Sequence, residues 1–176
     1  MRIHVTGNAG AGKTTLARAL GERLRLPVVH LDQIVWRPGW TSVPPMEKEQ
    51  LLRQVSEPTS WLIEGVSGTV RQRADLVVFL DVPRHVCMWR CMKRNLRYLF
   101  RSRPELPAAC PEYRIVLRLL QIIWQFPALV GARIRDEARL SRKYVVISSQ
   151  IDLDRWLNEF GAAQPPNNRL QADGHA

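Results

Sequence analysis

The first 32 residues alternate between apolar runs and polar, glycine-rich breaks in a rhythm of strand, turn, helix and strand. Ile3 and Val5 mark a first strand, and Leu16, Leu20 and Leu24 recur every four residues along one helix face. After Pro27, Val28 to Leu31 form a second strand. This spacing is that of a right-handed β-α-β crossover between parallel strands. Short β-branched or aromatic runs at Trp61 to Ile63, Asp75 to Leu80 and Tyr144 to Ile147 predict three further strands. Runs such as Leu76-Val77-Val78-Phe79-Leu80 lack strict alternation, which suits strands covered on both faces. Helical patterns fall at about Met46 to Val55, His85 to Leu99, Glu112 to Phe126 and Asp152 to Phe160. In the last of these, Leu153, Trp156, Leu157 and Phe160 form one stripe. The pattern predicts an α/β fold: a doubly wound, five-stranded parallel sheet with helices on both faces. Residues 1–160 read as one domain; the aperiodic, polar residues 161–176 read as a disordered tail.

A chain of 176 residues with 45% hydrophobic and 24% charged residues suits one domain with a sizeable core. Charge changes the picture more. Lys and Arg number 26 against 16 Asp and Glu, a net charge of +10 that favours polyanionic partners: nucleic acid, a membrane surface or phosphorylated metabolites. Arg84 to Arg118 holds nine Lys/Arg against two Glu and so carries most of the excess. Three cysteines, Cys87, Cys91 and Cys110, are too few and odd in number for a disulfide framework and fit a reducing, cytoplasmic setting. No leader pattern is visible at Met1, and the charge-free stretch from Leu119 to Ala132 is too short to span a bilayer. Cys87 and Cys91 match no common zinc spacing and read as packed thiols.

Between the first strand and the first helix, Gly7-Asn8-Ala9-Gly10-Ala11-Gly12-Lys13-Thr14 satisfies G-x-x-x-x-G-K-[ST], the phosphate-binding P-loop. Glycines let successive backbone N–H groups turn toward phosphate oxygens, and the helix that follows presents its positive end to the same anion. Lys13 is expected to neutralise the β- and γ-phosphates of ATP, Thr14 to ligate Mg²⁺ and Thr15 to reach the α-phosphate. No guanine-reading N-K-x-D tetrapeptide appears, which argues against a GTPase, although ATP over GTP is not fixed by this alone. Arg90, Arg94 and Arg97 share one helical face, with Arg101 and Arg103 following near Pro104. Guanidinium groups brought over the phosphates would stabilise the charge of phosphoryl transfer. Trp36 and Trp40 bracket Arg37-Pro38-Gly39 in a loop that either stacks on a planar substrate or packs down.

The runs LPVVHLDQIVWRPGW, WLIEG, VVFLDVP and RCMKRNLRYLFRSRPEL, with Cys110-Pro111-Glu112, resemble bacterial DNA topology modulation proteins, relatives of adenylate and shikimate kinases. The likeness covers about Met1 to Phe160. It implies a P-loop protein of nucleotide-kinase type, with a helical, arginine-rich lid at about residues 95–112 that begins beside Arg94 and includes Arg103. It further implies a carboxylate, Asp32 at the end of the second strand, that takes the proton of an acceptor hydroxyl, and Glu64 near Mg²⁺. Asp81 and Asp32 stand as alternatives for the metal shell. The function so implied is ATP-dependent, Mg²⁺-dependent transfer of a phosphoryl group to a small acceptor, with a nucleotide or nucleoside favoured. The rival is a nucleotide-binding regulator that touches DNA weakly through the basic segment.

Overall fold

β1 (Arg2–Gly7) runs between two parallel neighbours and is the strand from which the rest of the molecule is wound. It is followed by α1 (Lys13–Leu24), β2 (Val28–His30), α2 (Leu31–Val35), and a small antiparallel hairpin of β3 (Trp36–Arg37) and β4 (Thr41–Ser42). Next come α3 (Pro45–Val55), β5 (Trp61–Glu64), α4 (Gly68–Arg73), β6 (Leu76–Leu80) and α5 (Arg84–Arg97). The chain then continues with α6 (Val116–Phe126), α7 (Ala132–Leu140), β7 (Tyr144–Ile147) and α8 (Gln150–Ala162). These elements come from a computed structural model that describes residues 1–97 and 115–162. The proposed lid beyond Arg97, with Arg101, Arg103 and Cys110-Pro111-Glu112, and the tail from residue 163 lie outside the described residues.

The main sheet has five parallel strands in the order β2-β5-β1-β6-β7, as the apolar runs predict. Strand period two sorts its side chains into two layers. Ile3, Val5, Leu62, Val78 and Leu80 face one way, against Leu16 and Leu20 of α1, Cys87 and Cys91 of α5, and the Leu153, Trp156, Leu157 and Phe160 stripe of α8. Trp61, Ile63 and Val77 face the other way, against Leu31, Leu52 and Val70; on that side Phe79 packs with Phe126 and Ile134. Each such fully buried aliphatic side chain contributes about 1.5–3 kcal/mol.

α2, α4 and α7 were not among the expected helices, and β2, the helix at Pro127 and the Trp36–Trp40 loop depart from the expected pattern. β2 stops at His30, one residue earlier than expected, because its partner β5 ends at Glu64 and turns away at Gly65, where φ is +138°. Asp32 therefore sits in the first turn of α2 and does not end the strand. The helix at Pro127 does not end either. A π-type turn, Pro127–Gly131, absorbs the missing N–H and leads directly into α7, while Arg135 Nη1 donates to the Pro127 carbonyl at 3.3 Å. The loop with Trp36 and Trp40 is the β3–β4 hairpin, closed by an edge-to-face ring pair at 5.5 Å.

Candidate functional site

The carboxyl ends of β2, β5 and β1 form one row. His30 lies opposite Glu64, and Glu64 opposite Val5, so the three side chains project to the same side of the sheet, the side that carries α1. Two residues past Val5 the chain leaves the sheet at Gly7 and loops into α1. This loop is pressed against the start of α5: a Cβ at Gly10 would fall on the Cys87 carbonyl, and Gly10 has a φ of +82°. Gly12 caps α1 at a φ of +102°. Glycine is required at both points.

Asn8 fastens the loop from inside. Its buried side chain donates to the Ile123 carbonyl of α6 at 2.9 Å and accepts from the Ala9 N–H at 2.8 Å. Lys13, the first residue of α1, turns back over the loop and donates to the Asn8 carbonyl at 3.0 Å. Thr14 donates from its hydroxyl to Glu64 Oε1 at 3.3 Å, and Thr15 is exposed beside it. The same Glu64 oxygen lies 2.8 Å from His30 Nδ1. Burial alone would push the Glu64 carboxyl up; the His30 hydrogen bond, the Lys13 charge and the Thr14 hydroxyl outweigh it and hold it below its ordinary range. Glu64 is therefore a buried, ionised carboxylate beside a hydroxyl. Such an oxygen pair fits Mg²⁺, which takes few protein ligands and leaves the remainder to phosphate and water.

A cleft of about 920 Å³ opens along this edge. Gly10, Ala11, Gly12, Lys13, Thr14 and Thr15 form its floor; Asp32 and Glu64 stand toward the β2–β5 side, and Ser148, Ser149 and Gln150 toward β7. Arg90 and Arg94 reach it from α5. Arg94 Nη2 donates to Cys91 Sγ at 3.2 Å, and its buried Nε has no partner among the described residues. The fold thus brings together the P-loop, Asp32, Glu64, Arg90 and Arg94. Arg103 lies outside the described residues, and the Arg97 side chain is not described. Asp81 is engaged elsewhere: Arg135 of α7 holds both its oxygens, at 2.7 and 3.1 Å. Cys87 and Cys91 are fully buried in the core.

Sequence reasoning passed over His30, Ser148, Ser149 and Gln150. His30 was legible in principle, since it lies two residues beyond Val28 and so shares a sheet face with it; its pairing with Glu64 depends on the register between β2 and β5. Behind the row, fully buried His4 donates from Nε2 to the Gly65 carbonyl at 3.1 Å and holds the turn that follows Glu64. Burial, with the Arg71 charge, pushes His4 down to about 3, so the ring is neutral near neutral pH.

No family model matches the chain. Over 103 residues it is 29% identical to the uncharacterized protein YqaC of Bacillus subtilis (strain 168), a match covering 54% of this chain and 57% of that relative. The chain thus spans little more than half the length of the curated relative. Among solved structures it is similar to the shikimate kinase from Acinetobacter baumannii in complex with shikimate, with a TM-score of 0.58 and 16% identity over 91% of this chain and 90% of that one. It is also similar to the shikimate kinase from Bacteroides thetaiotaomicron (TM-score 0.52, 20% identity, 92% and 97% covered). A third is a sugar kinase from Janibacter sp. HTCC2649 (TM-score 0.51, 19% identity, 92% and 94% covered). At these identities the likeness is one of architecture, and the fold is that of the P-loop kinases.

Proposed function

We propose that the chain is a phosphotransferase that binds Mg-ATP on the P-loop and moves the γ-phosphoryl group to a hydroxyl of a small acceptor. The observation that carries this reading is the single cleft in which Lys13 and Thr14 share a wall with two carboxylates, Glu64 and Asp32, beneath Arg90 and Arg94. The P-loop backbone and Lys13 bind the phosphates, and Thr14 and Glu64 are the residues that would hold Mg²⁺. The metal, when bound, neutralises phosphate charge. Asp32, exposed in the cleft, accepts the hydroxyl proton as the acceptor oxygen bonds to the γ-phosphorus and the bond to the β-phosphate oxygen breaks, releasing ADP. Arg90, Arg94 and Arg103 offset the charge spread over the transferring group.

The acceptor is a small hydroxylated molecule. The kinase architecture supports this class, and a nucleoside or nucleotide is the form that the resemblance to nucleotide-kinase relatives favours. The test is transfer of label from γ-labelled ATP to a panel of nucleosides, nucleoside monophosphates, sugars and hydroxy acids. Labelling of one acceptor class is expected; labelling of none, with ATP bound, removes the kinase reading.

A further inference from the structure

Glu64 is oriented by a residue that none of the P-loop chemistry requires. His30 Nδ1 lies 2.8 Å from Glu64 Oε1, the oxygen that also accepts from Thr14. The ionised carboxylate can only accept, so His30 Nδ1 carries the proton and donates. The pair is shielded, with side chains 14% and 5% exposed, and parallel register fixes it: His30 and Glu64 are directly opposed on adjacent strands. The Glu64 backbone is held in turn, since Gly65 donates to the Val5 carbonyl at 3.0 Å and accepts from His4. Strand pairing sets the Glu64 backbone and His30 its carboxylate, leaving that group few orientations.

We propose that His30 is a positioning residue that fixes the Glu64 carboxylate against Thr14, so that the metal-side oxygens of the cleft are aligned before Mg²⁺ and nucleotide arrive. The proposal rests on the phosphotransferase reading and adds to it a residue that acts through Glu64 without touching phosphate. Alignment of this kind lowers the reorganisation needed when the metal binds, as hydrogen-bonded partners of metal-ligating carboxylates do elsewhere. The effect is confined to the metal-dependent part of nucleotide affinity.

The experiment is calorimetric titration of a non-hydrolysable ATP analogue with and without Mg²⁺, the readout being the factor by which Mg²⁺ tightens binding. In His30→Ala that factor falls about 10-fold, within the 10–100-fold range for such partners, while metal-free affinity stays at the wild-type value. His30→Asn, whose amide nitrogen sits where Nδ1 was, retains the factor. His30→Phe keeps the ring's bulk without the donor and loses it, which covers the case in which the alanine variant does not fold. Glu64→Gln shows the same loss, and adding His30→Ala to it produces no further one. An unchanged factor in both His30→Ala and His30→Phe, or losses that add in the double variant, overturns the positioning role and leaves the kinase reading standing. A wild-type chain whose affinity does not respond to Mg²⁺ overturns both.

Discussion

Glu64 and Glu137 are both held below the ordinary carboxylate range, and their surroundings differ in what they leave available. Glu137 of α7 receives Arg71 Nε at 2.6 Å, the Tyr144 hydroxyl at 2.7 Å and Arg133 at 3.2 Å. The Arg71 guanidinium, with Tyr144 and Arg133 and against the opposing effect of burial, pulls it down to about 2, while burial and Glu137 push the Tyr144 hydroxyl up to about 12. That cluster is closed: α4, α7 and β7 are pinned together, and a permanent cation faces the anion. Glu64 has a histidine, a threonine and a more distant lysine for neighbours, and it faces a cleft of about 920 Å³. A depressed carboxylate therefore does not by itself mark a site. What separates the two is whether the partners consume the charge or leave room for a ligand to share it.

The largest effect is expected in the cleft that Glu64 shares with Asp32. Asp32→Asn should preserve Mg-ATP affinity and lower phosphoryl transfer by roughly 10²–10⁴-fold, the range for loss of a general base; retained turnover would reassign the base. At the closed cluster, Arg71→Ala should destabilise the fold by about 3 kcal/mol, at the low end for a broken buried pair because the stranded Glu137 is partly exposed. Nucleotide affinity should be unchanged once the variant is folded, as urea unfolding alongside a nucleotide titration would report. The smallest effect concerns pH. With the folded Glu137 near 2 and an ordinary value of 4.5, the unfolded chain takes up a proton first on acidification. The stability this group contributes is full above pH 4.5 and declines as pH falls toward 2. In Glu137→Gln, urea midpoints should be lower at neutral pH and fall less steeply across that window.

Much of the fold was legible because its signals are local. The P-loop sits between an apolar run and a helical repeat, and the five strands are short apolar runs whose packing on both faces leaves no alternation to misread. What escaped detection has a physical reason in each case. α2 and α4 are five and six residues long, too short for a periodicity to emerge. The β3–β4 hairpin is built on two-residue strands around Gly39 and Trp40, both at positive φ. The helix continues through Pro127, and the Ile123 carbonyl four residues earlier, which proline has no N–H to reach, accepts instead from the Asn8 side chain, a partner that only the three-dimensional structure reveals. Of the residues lining the cleft, Lys13 and Thr14 are marked in the sequence by the motif and Glu64 by the end of its strand, while Asp32, expected at a strand end, lies in the first turn of α2. The sheet face of His30 follows from its spacing to Val28, but its pairing with Glu64 does not, because that rests on a register between strands more than thirty residues apart. The basic segment shows the limit of a charge total, which cannot say where the cations point: Arg90 and Arg94 line the cleft, and Asp81, which read from sequence as a metal-shell alternative, is engaged by Arg135.

Titration of Mg-ATP into the wild-type chain and Lys13→Ala tests most directly whether the loop from Gly7 to Thr14 holds the phosphates of Mg-ATP beside Glu64. The wild type should bind saturably and the variant should lose roughly 100-fold in affinity, as expected for removal of a desolvated cation from its anion, with the thermal unfolding midpoint of the free chain unchanged. Equal affinity in the two proteins, or no binding by the wild type, would contradict it.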